Sequence, residues 1–228
     1  MLELHYHPLA SFCHKVLIPL YEAGTPFEAH IVDLMDPDGR ARFYQLWPVG
    51  KMPVLKDRER GKVVPESSII IEYLDRHYPG ATPMLPDDPD ICLDARLWDR
   101  IFDHYVQEHV QKIVVDRIRP EEARDPAGVE DARRRLATAY DMIEKQLAGE
   151  TWITGEAFTL ADAAAAPALF YAGILVPFSD RHGNLQAYFE RLLERPSVRR
   201  VLIEARPYFD MFPYRDQMPA RFLELSDA

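Results

Sequence analysis

What most narrows the fold of this chain is a change of period near residue 79. Before it, two-residue and helical patterns interleave; beyond it no convincing strand pattern appears. Leu2, Leu4 and Tyr6 alternate with Glu3, His5 and His7, the period of a half-buried strand. A helical pattern begins at about Phe12, with Val16, Leu17, Leu20 and Tyr21 on one side, and Gly24 and Pro26 stop it. Residues 27–32, 53–56 and 62–64 read as further strands, with a loop of about one helical turn ahead of Pro53. Residues 67–77 read as a helix, with Glu72 and Arg76 as an i,i+4 pair on its wet side. The crossover from the first strand to the second favours parallel pairing, and the last two strands are close enough to form a hairpin.

Pro79, Pro83, Pro86 and Pro89, with Gly80, Asp87 and Asp88, then mark a linker over residues 79–91. Helical patterns follow at 93–118, at 128–147, from Thr159, at 185–193 and at 198–203. The expectation is a small α/β domain over 1–78 and an all-helical domain over 92–228. With 47% apolar residues in 228, the chain supports a sizeable core. Its formal net charge of −10 argues against a general nucleic-acid binder, which needs cations to neutralise phosphates. It leaves room for a small anionic ligand held by local donors. Two cysteines, Cys13 and Cys92, are too few for a disulfide framework and suit a reducing compartment. The first twenty residues have no signal-peptide apolar run, and no membrane span is expected.

Four short segments carry chemistry. A Pro8-Leu-Ala-Ser-Phe-Cys-His-Lys-Val16 stretch opens the first helix, and Gly50-Lys-Met-Pro-Val-Leu55 enters the third strand. Pro65-Glu-Ser-Ser-Ile69 starts the helix at 67, and Phe158-Thr-Leu-Ala-Asp162 starts a helix of the second half. Proline lacks a ladder donor, so Pro53 fits a strand only at its opening; a cis bond there would turn the Met52 backbone outward, and an ordinary X-Pro turn is the alternative. Glu66 and Ser67 stand at a helix N-terminus, where unpaired N–H groups and the dipole attract a carboxylate while Glu66 accepts from an ammonium group. An α-amino acid head carries both charges. Plain N-capping by serine is the alternative. Thr159 and Asp162 form a capping box, a folding device rather than chemistry.

These segments, in this order and spacing, resemble the cytosolic glutathione transferase family over essentially the whole chain. The resemblance implies an α/β thioredoxin-like N-terminal domain plus an all-α C-terminal domain, in a cytoplasmic homodimer. It implies glutathione as co-substrate, a small hydrophobic electrophile as acceptor, and no metal. Residue by residue, it assigns the γ-glutamyl head to Glu66 and Ser67 and the cysteinyl unit to the main chain of Met52 beside a cis Pro53. Lys51 is a candidate to meet the glycyl carboxylate, with a solvated surface charge as its plainer role, and Phe12 lies at the reactive end. The chain departs from the pattern at one place. In many serine- and cysteine-type members the reactive residue lies six before the position of Val16, and that place is Ala10 here. Three routes stay open: Ser11 donates to the sulfur, Cys13 forms a mixed disulfide, or main-chain N–H groups alone steady the thiolate; the plainer roles are an N-cap for Ser11 and a small core residue for Cys13. His14 reads as an exposed helix residue, with donation to the sulfur as its other role. Glutathione conjugation is the expected activity. A glutathione-dependent reductase or isomerase, or a noncatalytic binder of the same fold, are the alternatives, and detoxification and a dedicated metabolic step fit equally. Some of Trp98, Phe102, Tyr105 and His109, and of a second cluster, Tyr208, Phe209, Phe212 and Tyr214, are expected to line the acceptor pocket, with core packing the commoner role of such a helical aromatic stripe.

Overall fold

The computed structural model describes residues 1–226. β1 (Leu2–Tyr6), α1 (Ser11–Glu22) and β2 (Phe27–Ile31) form the crossover unit, with β1 and β2 parallel. β3 (Val54–Asp57) pairs antiparallel with β1 and with β4 (Lys62–Pro65), giving the order β2-β1-β3-β4. α3 (Ser67–His77) follows, and among the described residues no strand lies beyond it apart from an isolated bridge between Trp152 and Gly155. This is the thioredoxin-like arrangement the sequence led us to expect. Leu2, Leu4 and Tyr6 enter the core beside Val16, Leu17 and Leu20 of α1 and Ile70, Ile71 and Leu74 of α3.

Between β2 and β3 the structure departs from expectation: residues 37–46 form a ten-residue helix, α2 (Pro37–Leu46), rather than a single turn. Asp36 caps it, accepting from the Asp38 and Gly39 N–H groups, and Pro37 sits at the first position, where its missing N–H is harmless. Phe43 anchors α2 against Val32 and Val54, a small cluster separate from the main core.

The residues between α3 and α4 (Pro89–Ile101) contain neither helix nor strand, yet the strap is tied down. The Asp75 carboxylate accepts from the N–H groups of Met84 (3.0 Å) and Leu85 (2.8 Å), and Met84 is buried. α4 runs through a π-helical segment (Phe102–Gln107) into α5 (Glu108–Ile118), where one continuous helix was expected. The extra residue in that turn changes which side chains of α5 share a face with those of α4. α6 (Pro126–Gln146), α7 (Leu160–Leu175), α8 (Gly183–Glu194) and α9 (Pro196–Ala205) complete the main helices. α7 is buried almost all round, as its run of alanines allows. Glu72 does not pair with Arg76; it takes Arg96 of α4 through two bonds of 3.0 and 2.9 Å. No helix among the described residues is long and apolar enough to cross a membrane.

Candidate active site

A cavity of about 900 Å³ opens between the sheet-bearing half and the helices, and three chain segments of the first half meet on its wall. The first is the start of α1. Its cap position is Ala10, which has no side-chain acceptor, so Ser11 is the first helical residue and its hydroxyl is not the cap. Ala10, Ser11 and Phe12 all line the cavity. The N–H groups of Cys13 and His14 turn back to the Ala10 carbonyl (2.9 and 3.1 Å), leaving those of Ser11 and Phe12 as the open donors of the first turn.

The second segment is the approach to β3. Met52–Pro53 is a cis peptide, and Lys51, Met52 and Pro53 line the cavity. Among the described residues the Met52 backbone makes no backbone hydrogen bond. Gly50 sits at φ +71°, where glycine is favoured, and a Cβ there would also lie 2.5 Å from the Tyr44 ring, which would have to shift.

The third is the start of α3. Glu66 is the one non-glycine residue with positive φ (67°) among the described residues, a conformation that stores about 1–3 kcal/mol. It is exposed and makes no cap bond, while Ser67 is buried behind it. Both line the cavity. Two helix N-termini, those of α1 and α3, therefore direct open N–H groups and positive dipole ends toward one space.

Of its two readings, Cys13 takes the core one, and its place among the catalytic candidates is corrected. It is fully buried in the core and does not line the cavity, and burial pushes its thiol up to about 12. A thiol so placed is a small hydrophobe rather than a nucleophile. His14 is not exposed either. It is buried, its Nε2 lies 2.5 Å from the Pro8 carbonyl oxygen, and burial lowers it to about 4. It holds the loop before α1, as does the Tyr171 hydroxyl, which donates to the Leu9 carbonyl at 2.6 Å.

Behind Ser67 lies an ionic cluster the sequence did not announce. Lys15, 1% exposed, reaches Asp99 at 2.5 Å, both Asp103 oxygens at 2.8 Å and Ser68 Oγ at 3.0 Å. Arg100 closes the group from the solvent side, on Asp99 (2.6 Å), Asp103 (2.7 Å) and Ser68. Burial pushes the Asp103 carboxyl up against the pull of Lys15. Ser68, Asp99, Arg100 and Asp103 form part of the cavity wall.

The aromatic stripe of the long helix does not face the cavity. Trp98 and Phe102 are buried in the core, and none of Trp98, Phe102, Tyr105 and His109 lines the cavity. The polar stripe of the same helix does so instead, through Arg96, Arg100, His104, Gln107 and Gln111, with Val110 and Val114. Of the C-terminal aromatics only Phe212 reaches it, beside Pro213 and Tyr171.

Comparison with known proteins bears on this geometry. The glutathione S-transferase N-terminal domain matches residues 10–77, and the C-terminal domain of the same family matches residues 106–196. The glutathione S-transferase-like protein LUC7 of a Fusarium species is 32% identical over 180 residues, 78% of this chain and 79% of that protein. The chain belongs to the glutathione S-transferase family. Glutathione S-transferase GstB of Escherichia coli K12 is 28% identical over 192 residues, 83% of this chain and 91% of its own. A solved glutathione S-transferase of Methylobacterium radiotolerans, in complex with glutathione sulfonate, superposes with a TM-score of 0.75 at 32% identity, covering 86% of this chain and 92% of that one. This family member thus keeps the two-part fold while carrying Ala10 at the head of its first helix.

Proposed function

We propose that this protein transfers the thiol of glutathione to a small electrophile. The observation that carries the reading is the convergence of the α1 and α3 N-termini with the open Met52 backbone on one cavity. Glutathione lies extended along that wall. Its α-ammonium meets Glu66 and its γ-glutamyl carboxylate meets Ser67 and the α3 amides. The Met52 main chain pairs with the cysteinyl unit, and Lys51 faces the glycyl carboxylate. The sulfur then sits at the start of α1, where the Ser11 hydroxyl and the Ser11 and Phe12 N–H groups favour the thiolate. The thiolate forms a C–S bond to the electrophile, and the displaced electron pair leaves with the departing group or takes a proton from water. The acceptor's apolar part rests on Val110, Val114, Phe212 and Pro213, and its polar part faces His104, Gln107 and Gln111.

Glu66→Ala tests the amino-acid-head site. A charge-assisted bond at a partly screened position contributes about 1.5–3 kcal/mol, so glutathione affinity should fall about 10- to 100-fold. The melting temperature should hold, because Glu66 is exposed and its side chain makes no cap bond; calorimetric titration that returned the parent affinity would reject this placement.

A reductase reading loses its nucleophile with Cys13 in the core. A noncatalytic glutathione binder is favoured by one observation, Ala10 where many relatives of this type carry the reactive side chain. Turnover across a panel of electrophiles separates the two readings.

We read the protein as a cytoplasmic homodimer, in keeping with its two free cysteines. Ile69 of α3 and Leu93 and Leu97 of α4 are 53–65% exposed, an apolar face suited to a second copy. Sedimentation should give twice the chain mass, and Leu97→Glu should halve it; a monomeric parent protein would refute the dimer.

A further inference from the structure

One polar side chain in the wall of the cavity has nothing to bond to. Gln107 closes the π-helical segment (Phe102–Gln107), the kind of irregular turn that recurs at functional sites. It is 4% exposed and lines the cavity. With Ser11 and Phe12 it also lines a side gap too narrow for water, whose far wall is Ala164, Pro167 and Ala168 of α7. Those three side chains offer no donor. The Gln107 Oε1 is accordingly sealed without a hydrogen-bond partner. Among the described residues Nε2 has none either, which leaves its N–H groups as the open end of the carboxamide.

Buried polar groups are paired as a rule, and one left orphaned costs stability. An apolar side chain of the same length would fill this position without that cost, so packing does not account for a glutamine here. The charged side chains around it are all occupied. Arg96 is held by Glu72, Arg100 by Asp99 and Asp103, and His104 by Glu108. Among the described residues, the helical wall therefore offers no unpaired cation to a departing halide. It offers a neutral N–H donor instead, fixed beside the α1 N-terminus where the glutathione sulfur is placed.

We propose that Gln107 is a catalytic residue and that the acceptor is an α,β-unsaturated carbonyl compound. This deepens the transferase reading and rests on it. The thiolate forms a C–S bond to the β-carbon, and the C=C electron pair moves toward the carbonyl to give an enolate. The negative charge then sits on the carbonyl oxygen, which accepts from Gln107 Nε2–H. The α-carbon takes a proton from water, and no group departs. A donor already fixed in a water-poor wall needs no reorganisation as that charge develops. In displacement at a saturated carbon the charge leaves with the halide, and the same donor gains little.

The test compares two acceptors that share a phenyl ring, benzylideneacetone and benzyl chloride, in the parent protein and in Gln107→Met. Methionine keeps the length of the side chain and removes the donor. It should lower kcat for benzylideneacetone by about 100-fold, the loss expected for one oxyanion donor. Turnover of benzyl chloride should fall much less, so the preference for the enone collapses. The melting temperature should hold or rise, because the variant removes an orphaned polar group. Turnover of benzyl chloride or another electrophile without any of benzylideneacetone overturns the proposal and leaves the transferase reading standing. So does a Gln107→Met variant that slows both acceptors alike, or neither. No turnover of any electrophile rejects the transferase reading itself, and this proposal with it.

Discussion

Lys15→Met is expected to lower the stability of the folded protein by about 3–5 kcal/mol, the range measured when one partner of a buried ion pair is removed. The magnitude follows from what is left behind. Asp99 and Asp103 are 2% and 7% exposed, and both face the Lys15 ammonium at 2.5–2.8 Å. Without it, two neighbouring carboxylates keep only Arg100, whose side chain is 48% exposed. For a chain of this size the loss corresponds to a fall in melting temperature of roughly 6–20 °C. Adding Asp103→Asn to Lys15→Met should recover part of it, because that removes one uncompensated charge. A melting temperature within about 2 °C of the parent for Lys15→Met would mean that the cluster contributes little net stability.

Asp162→Ala is expected to be of similar size, and for a different reason. The Asp162 carboxylate is fully buried and accepts from Thr159 N–H (2.8 Å), Thr159 Oγ1 (3.2 Å), Ile153 N–H (3.1 Å) and the Tyr188 hydroxyl (2.6 Å). Thr159 in turn caps α7 through Ala161 N–H (3.3 Å). Alanine removes one acceptor and orphans several buried donors at once, at about 1–3 kcal/mol for each donor left unpaired. A total of about 3–5 kcal/mol is expected from chemical denaturation, with glutathione affinity per folded molecule unchanged, since Asp162 does not line the cavity. Affinity that fell while stability held would contradict a purely structural role.

The two clusters differ in how well they can be read from the chain. Asp162 and Thr159 are three residues apart, and a capping box is a local pattern, so the sequence is enough to find it. Lys15 meets partners 84 and 88 positions away, and a lysine is almost never buried unless paired; nothing near residue 15 marks it. The same contrast holds for the fold. The strands of the sheet, α1 and α3 follow from local periods, and their pairing follows from connection lengths. α2 is missed because its apolar positions are sparse and Gly39 interrupts it, although Asp36-Pro37 is a legible helix start. In the site, Ser11, Phe12, Lys51, Met52, Pro53, Glu66 and Ser67 all reach the cavity, and Cys13 does not. Spacing alone could not separate Ser11 from Cys13, because which side of α1 faces the core depends on packing against α7 and α9. The helical wall of the cavity is hard to read from the chain for a similar reason. A stripe of Arg96, Arg100, His104, Gln107 and Gln111 looks like a solvated face until a second body stands opposite it, while aromatics such as Trp98 and Phe102 suit a pocket or the core equally by spacing, and here fill the core.

The central claim is that this fold activates the glutathione sulfur with Ala10 in place. Its most direct test is the ultraviolet absorbance of the glutathione thiolate followed against pH, with and without saturating protein. A hydroxyl donor and a helix N-terminus together should lower the thiol pKa by one to two units from about 8.5, and Ser11→Ala should return part of that shift. If bound thiolate persists near neutral pH and diminishes in Ser11→Ala, the transferase reading stands with Ser11 as the donor. If glutathione binds and its thiol titrates as it does in water, the cavity holds the tripeptide without activating it, and the claim fails.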